Sequence, residues 1–401
     1  YSSVEYKSTH TGKWDYAKSL ALPPKLPLGV IGMTSRTDDA NASFTITFYK
    51  PVPETYNRLK IFCKKEHNAY DLLVKTGTKN IAVAVDSSSA DTLPYYEVSL
   101  PPLSDHITIQ LQKNNPYENE LEFYGMSLET SENRGLIFHN CGVGGAKYES
   151  VLYEDLFEKQ LPALNPDLVI IDFGTNDYIY EDSIHPDLDS QIVAVIHRVR
   201  NAAPQASIIL TSTQDMYRKG HNMVCGEQFA DLIRGIARQE HCGLFDWYWI
   251  SGGRTARLKW NEKGYSQPDM IHLSPRGYRL KANLFADAIV STYHFLELNT
   301  TDDSLVFNMD SLKEVQKKLI VVDSLWNSTD TRGKHMVRHT VRKGESLSRI
   351  ASHYGVSIVQ IKKWNHLNGD IIHVGQVLVI YTNQKPKPKP KPKTKPAPPK
   401  K

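Results

Sequence analysis

The fold of the central part of the chain is decided by the stretch Leu168-Val169-Ile170-Ile171-Asp172-Phe173-Gly174-Thr175-Asn176-Asp177. Its first four residues form an apolar run, which is typical of a buried parallel strand. The last four favour a turn. In open α/β sheets, ligands bind at the carboxyl ends of strands. The stretch therefore predicts a buried strand followed either by an ordinary turn or by a functional loop, in which the Asn176 amide can donate to a developing oxyanion.

Strands and helices alternate around this stretch, over residues 131–299. Apolar runs predict three further strands, at residues 135–138, 208–210 and 243–245. The segments between them show the apolar spacing of amphipathic helices. Ser274 and Pro275 indicate the N-cap and first turn of the last helix. The alternation predicts an α/β domain with a parallel sheet.

The preceding residues 26–130 are predicted to form only β-strands. Apolar and polar residues alternate at 44–48, 59–61, 81–85 and 107–111. Proline, glycine and asparagine separate these segments, as at Pro51 and Gly77. Short period-2 strands at this spacing indicate a β-sandwich or jelly roll. Residues 1–25 are interpreted as a remnant preceding this module.

The C-terminal part divides into three segments. Residues 300–337 are mixed and polar and are interpreted as a linker. Residues 338–382 show a strand, helix, helix, strand pattern, which is small but able to fold alone. Residues 383–401 are rich in lysine and proline, which predicts an extended, solvated tail.

Composition excludes several classes of protein. The chain has 401 residues, of which 40% are hydrophobic and 23% charged, as in ordinary folded proteins of two or three domains. No apolar run is long enough for a membrane span. Removing the eight lysine charges of Lys385–Lys401 from the net charge of +4 leaves −4, so a basic nucleic-acid-binding domain is not expected. The four cysteines lack C-x-x-C spacing, so no zinc or other metal site is expected.

Two further motifs have both a functional and a purely structural interpretation. In Asp269-Met270-Ile271-His272, the carboxylate can hold one ring nitrogen and leave the other as a base, or the pair can be ordinary loop residues. In Asn140-Cys141-Gly142-Val143-Gly144-Gly145, the glycines can bring backbone N–H groups close to a ligand, or form only a tight turn.

Taken together, the three motifs resemble the SGNH hydrolases, a family of esterases with a flavodoxin-like fold. The resemblance implies that Gly145 and Asn176 form the oxyanion hole, that His272 is the base and that Asp269 orients it. It implies no cofactor. Ser212–Tyr217, Asp246–Tyr248 and Ile271–Ser274 resemble the peptidoglycan O-acetylesterase-like subgroup, in which a jelly-roll, carbohydrate-binding-like module interrupts the hydrolase domain. Residues 26–130 would be that module.

The family's G-D-S block does not occur in this sequence. Its place in the subgroup implies that the serine nucleophile and strand one lie upstream of Tyr1, and that this chain is an inactive fragment. In the flavodoxin-like strand order, strand one lies between strands two and three. Residues 135–138 and 168–171 are therefore expected to be strands separated by a gap.

Residues 338–382 resemble a LysM module, through His339–Leu347, Tyr354–Val356 and Val374–Leu378. The resemblance implies binding of peptidoglycan or another N-acetylglucosamine-containing glycan. The implied contacts are two loops, comprising Gly344, Glu345, Ser346 and Leu347, and Asn368, Gly369, Asp370 and Ile371. Trp364 is expected to pack in the core.

These features predict an exported carbohydrate O-acetylesterase of a bacterial periplasm or cell envelope, which acts on peptidoglycan as a monomer. Two alternatives stay open: a wall-binding protein without catalysis, and an esterase acting on another acetylated glycan.

Overall fold

A computed structural model describes residues 5–298, except 21, 86–92, 104, 133–134 and 181–182, together with residue 331 and residues 334–383, except 368 and 370. The chain divides into two compact units. The first comprises Tyr1–Thr213 and Val224–Trp247, and the second Gln214–Met223 and Tyr248–Lys401.

The N-terminal part of the first unit is a β-sandwich of two antiparallel five-stranded sheets. Its strands are β1 (Tyr6–Thr11), β2 (Asp15–Lys18), β3 (Met33–Thr37), β4 (Ser43–Phe48), β5 (Tyr56–Cys63), β6 (Asp71–Thr76), β7 (Lys79–Val83), β8 (Tyr96–Ser99), β9 (His106–Gln112) and β10 (Leu121–Thr130). The strand orders are β1-β4-β9-β6-β7 and β2-β3-β10-β5-β8.

The alternation seen in the sequence sets the core of this sandwich. In β9, Ile107, Ile109 and Leu111 are at most 2% exposed, while the residues between them face outward. Burying each such side chain contributes about 1.5–3 kcal/mol. The predicted boundary at residue 26 is wrong, because β1 and β2 pair with β4 and β3 and belong to the sandwich. Both are edge strands with largely exposed side chains, so they lack the alternation that reveals a strand.

The remainder of the chain up to residue 298 is α/β, as expected. Its strands are β11 (Leu168–Ile171), β12 (Ser207–Thr211), β13 (Tyr217–Arg218), β14 (His221–Asn222) and β15 (Gly243–Phe245). Its helices are α1 (Tyr148–Leu152), α2 (Phe157–Gln160), α3 (Thr175–Tyr178), α4 (Leu188–Ala202), α5 (Cys225–Gln239), α6 (Trp247–Ile250), α7 (Ala256–Glu262) and α8 (Pro275–Leu298). Strands β11, β12 and β15 form a parallel sheet with β12 in the middle. The predicted N-cap of α8 is confirmed, because Ser274 Oγ accepts from Gly277 N at 3.2 Å.

The predicted strand at residues 135–138 is not formed. This segment is irregular, and its side chains are exposed, with Leu136 at 90% and Phe138 at 76%. A strand needs a neighbour for its N–H and C=O groups. In the part of the chain that the structure describes, β11 pairs only with β12, so its other edge carries no strand that residues 135–138 could join.

The C-terminal module has the predicted order of β16 (His335–Thr340), α9 (Leu347–Tyr354), α10 (Ile358–Trp364) and β17 (Val377–Thr382). Its core contains Val341, Leu347, Ile350, Ile361, Leu378 and Ile380, and Trp364 packs against it as predicted. The module begins a few residues before the predicted residue 338, because β16 pairs with β17 from His335. Of the predicted linker and tail, residues 300–330 and 384–401 lie outside the described residues.

A buried ion pair between the neighbouring strands β5 and β10 of the sandwich also contacts the α/β part of the first unit. Lys60 Nζ lies 3.0 Å from Glu129 Oε2 and donates to the Ala163 carbonyl at 3.2 Å, and both side chains are under 10% exposed. Removing one partner of such a pair leaves a buried charge, at a cost of about 3–5 kcal/mol. We therefore expect Lys60→Met to lower the free energy of unfolding by that amount, measured by urea denaturation.

The double variant Lys60→Met/Glu129→Leu should recover most of that loss, since an apolar pair removes both charges. An equal loss in the single and double variants would show that the pair does not carry the effect.

Candidate active site

The glycine motif forms an irregular loop that ends where α1 begins. The Asn140 side chain accepts from Gly142 N at 3.1 Å, which closes the first turn. Gly145 has a φ of 96°, and a Cβ there would lie 3.1 Å from a Leu20 methyl carbon. A glycine therefore suits this position for both its backbone conformation and its space.

Asn176 lies on α3, directly after the turn that follows β11. Its Nδ2 donates to the carbonyl of Ala146 at 3.1 Å. Because Ala146 follows Gly145, this bond holds the Asn176 amide beside the glycine loop. The two groups that the resemblance implied as oxyanion donors thus come from two loops that lie side by side. Their role in an oxyanion hole stays a prediction.

Asp177 ties the same two loops together, a role that the sequence interpretation missed. Its carboxylate accepts from Tyr148 N at 3.0 Å and from Gly174 N at 3.1 Å, and the residue is 7% exposed. Burial raises the pKa of Asp177 to about 6, against the opposing effect of these two N–H donors. The signal in the sequence was an acidic residue three positions after Gly174, where it can accept from the backbone N–H of the N-cap residue.

Gly174 is the second constrained glycine of the site. It has a φ of 112°, and a Cβ there would lie 2.3 Å from the Phe229 ring. Any other residue would displace that ring, so Gly174 sets how closely the turn packs on α5.

We expect Asp177→Asn to change the pH dependence of stability. The raised pKa means that the contribution of Asp177 is greatest below its unfolded value of 3.8 and falls as pH rises through about 6. The stability of the parent relative to Asp177→Asn should therefore decrease between pH 4 and pH 7.5, by on the order of 3 kcal/mol. Urea unfolding at the two pH values measures this.

The exposed Asp155 in the same unit supplies the matched control. Asp155→Asn is measured in parallel at the same two pH values. A constant difference between the parent and Asp177→Asn across this pH range would contradict the assignment.

In the second unit, Asp269 and His272 form a close pair. His272 Nδ1 lies 2.7 Å from Asp269 Oδ2, and the other carboxylate oxygen accepts from Ile271 N at 2.8 Å and His272 N at 2.9 Å. Burial opposes ionisation of Asp269, but these hydrogen bonds outweigh it and hold its pKa below the ordinary value. The His272 side chain is 58% exposed. The arrangement supports the Nδ1–H tautomer, which leaves Nε2 as an acceptor for a hydroxyl proton.

The Asp269–His272 pair lies in the second unit, whereas Gly145 and Asn176 lie in the first. That these residues form one active site, as the resemblance implies, stays a prediction. Ser212 is fully buried and donates to Asp246 Oδ1 at 2.7 Å, which makes it a structural residue. Ser87–Ser89 lie outside the described residues.

Among the residues that the structure describes, no group of three or more metal-ligating side chains occurs, and no helix is both long and apolar enough to cross a membrane.

The first predicted glycan loop of the C-terminal module is held by its own side chains. Glu345 accepts from Arg342 N at 2.7 Å and lies 2.8 Å from His339 Nε2, and these hydrogen bonds lower its pKa. Ser346 caps α9, and Arg349 donates to the Gly344 carbonyl at 3.1 Å. Leu347 is 3% exposed, so its side chain belongs to the core, and only its backbone is suited to meet a glycan.

In the second loop, Gly369 is exposed and Ile371 is 80% exposed. Asn368 and Asp370 lie outside the described residues.

Comparison with known protein families matches two segments. Residues 120–280 match the GDSL-like Lipase/Acylhydrolase family, and residues 339–380 match the LysM domain. The chain carries a GDSL-like acylhydrolase domain followed by a LysM domain. The acylhydrolase match contains Gly145, Asn176, Asp269 and His272, and the LysM match contains both predicted glycan loops.

Individual proteins support this division. A chain from a structure titled "Peptidoglycan O-acetylesterase in action, 5 min" aligns with a TM-score of 0.56 and 17% identity, over 73% of this chain and 78% of that one, and shares its fold. Two LysM homologues are an autolysin of Enterococcus faecalis, 45% identical over 42 residues, and the cell wall-binding protein YocH of Bacillus subtilis, 34% identical over 80 residues. These segments are 10% and 18% of this chain, and they span only 6% and 26% of the relatives.

Proposed function

We propose that this protein removes O-acetyl groups from peptidoglycan by serine esterase chemistry and that its LysM domain holds it on the cell wall. The observation that carries the proposal is the His272–Asp269 pair, at 2.7 Å, within a GDSL-like acylhydrolase domain that a LysM domain follows. The likeness of the fold to a peptidoglycan O-acetylesterase supports the same substrate class.

In the proposed reaction, a serine hydroxyl gives its proton to His272 Nε2 as its oxygen attacks the acetyl carbonyl. Asp269 stabilises the imidazolium, and the Asn176 amide and the Gly145 N–H bind the oxyanion. Collapse of the tetrahedral intermediate expels the sugar oxygen, which takes the proton from His272. Water then attacks the acetyl-serine by the same route and releases acetate.

The serine belongs, in this proposal, to a G-D-S block upstream of Tyr1, at the end of the first strand of the sheet. Two observations support a strand at that place. The edge of β11 opposite β12 carries no strand within the described ranges, and Ile170 in this strand is 37% exposed. Residues 135–138 are apolar, exposed and without a sheet to join. Accordingly, we propose that residues 1–401 alone are inactive.

The test compares residues 1–401 with the same protein extended by its natural upstream sequence, using O-acetylated peptidoglycan and measuring acetate. Only the extended protein should release acetate. In it, His272→Ala should nearly abolish turnover, while Asn176→Ala should lower kcat about 100- to 1000-fold with a smaller effect on KM.

His106, which lies 2.7 Å from Asp105 in the sandwich, provides a matched exposed His–Asp pair. His106→Ala should retain full turnover. Retained activity in His272→Ala would refute the assignment of the base. Absence of acetate release from the extended protein would favour the binding protein without catalysis, and preference for acetylated xylan would favour the other-glycan alternative.

The LysM domain has its own hydrophobic core, so we expect it to fold without the rest of the chain. In this proposal it should therefore bind peptidoglycan by itself. Residues 334–383 are expected to co-sediment with insoluble peptidoglycan at 0.5 M salt, where the electrostatic contribution of lysines is screened. Ile371→Ala, in the second loop, should reduce the bound fraction.

Met336 is 56% exposed and lies outside both loops, so Met336→Ala should bind like the parent. The peptide 384–401 tests the tail alone. No retention of the domain above that peptide would contradict the proposed anchoring.

A further inference from the structure

The carbonyl group of Ile271 receives two side-chain donors within the second unit. Arg257 Nη2 donates to it from α7, and Gln214 Nε2 donates to it at 3.1 Å from the segment before β13. Both donors thus act on the peptide group that immediately precedes His272. Neither residue had an assigned role in the sequence interpretation.

The other end of the same peptide group is also held. The N–H of His272 donates to Asp269 Oδ1 at 2.9 Å, while the imidazole Nδ1 lies 2.7 Å from Asp269 Oδ2. A peptide is planar, so fixing its C=O and its N–H fixes its orientation. That orientation sets the direction in which the Cα–Cβ bond of His272 leaves the backbone. It therefore sets how the ring meets Asp269.

Arg257 is itself placed by a buried carboxylate. The residue is 1% exposed, and its backbone N–H donates to Asp215 Oδ2 at 3.1 Å. Asp215 is also 1% exposed, and its other oxygen accepts from Asn222 Nδ2 at 2.6 Å. Burying a guanidinium is costly unless its donors find acceptors. The Ile271 carbonyl is one such acceptor for the Arg257 guanidinium.

The loop carrying His272 is tied at further points, which leaves it little freedom to move as a whole. Tyr217 N donates to the Met270 carbonyl at 3.1 Å, and Gln267 N donates to the His272 carbonyl at 2.8 Å. Met270 has a φ of 62°, an uncommon conformation for a residue other than glycine. A strained turn of this kind persists only where the surroundings hold it.

We propose that Arg257 and Gln214 are positioning residues, which fix the Ile271–His272 peptide so that the imidazole stays against Asp269 as the Nδ1–H tautomer. The catalytic consequence rests on the proposed esterase function, whereas the effect on the ring does not. Arg257 and Gln214 act through the backbone of a neighbour and need not touch the substrate.

The test measures the tautomer of the His272 imidazole directly, in the protein of residues 1–401. Long-range proton–nitrogen spectra of the ¹⁵N-labelled protein, above the pH at which imidazole titrates, report the tautomer of His272. The parent should show the Nδ1–H tautomer alone. In Gln214→Leu, which retains bulk but removes the donor, and in Arg257→Met, the Nε2–H tautomer should become populated.

Trp260→Phe is the control for a loss of structure alone. It removes a hydrogen bond of 2.8 Å to the Ser251 carbonyl in the same unit, without touching Ile271. It should lower the denaturation midpoint but leave the tautomer unchanged. Should Arg257→Met fail to fold, Gln214→Leu decides the outcome. A folded Gln214→Leu with only the Nδ1–H tautomer would overturn the proposal.

A kinetic measurement separates this inference from the proposed function. In the protein extended by its upstream sequence, Gln214→Leu should lower kcat about tenfold with KM nearly unchanged, because misorientation affects the reaction more than binding. A tautomer change without acetate release in the parent would refute the esterase function and leave the positioning role intact. An unchanged kcat in Gln214→Leu would overturn the catalytic part of the positioning role.

Discussion

The buried carboxylate of Asp177 is the interaction on which the arrangement of Gly145 and Asn176 in the first unit depends. It accepts one N–H from the residue that begins α1 and another from the turn after β11. These are the two loops that carry Gly145 and Asn176. Burial makes the negative charge costly and raises the pKa to about 6, and the carboxylate offers a separate oxygen to each of the two N–H donors.

The His272–Asp269 pair of the second unit is held by the same principle. The exposed imidazole of His272 gains its orientation from a peptide whose carbonyl and N–H are both held, the carbonyl by a buried arginine. In both units, the candidate residues lie at or near the ends of regular elements, and hydrogen bonds from polar side chains restrict their movement. Holding such groups before reaction removes reorganisation cost from the chemical step.

The other domains bear on the function proposed above, that of an esterase acting on an insoluble polymer. The sandwich is joined to the α/β part by two hydrogen bonds, from the buried Lys60 Nζ to the Ala163 carbonyl at 3.2 Å and from Val30 N to the Gln160 side chain at 3.0 Å. The LysM domain contributes a separate small core. A binding module linked to an esterase raises the local concentration of its substrate, and its benefit depends on the length and stiffness of the connection.

The sequence by itself determined the elements whose burial pattern is regular. Period-2 alternation predicted β9, apolar runs predicted β11, β12 and β15, and Ser274-Pro275 predicted the start of α8. It also indicated Asn176, Asp269 and His272 as candidate catalytic residues, because the type and spacing of these side chains form recognisable motifs. The edge strands β1 and β2 were not predicted, because strands with largely exposed side chains need no alternation of apolar and polar residues.

Only the tertiary structure decided what depends on contacts between distant residues. The apolar run at 135–138 has the composition of a strand, but a strand exists only with a partner, and the described sheet offers it none. The positioning contacts of Asp177 and Arg257 likewise link residues 29 and 14 positions apart. A hydrogen bond between two segments is a property of how they pack, so no local pattern of residue types records it.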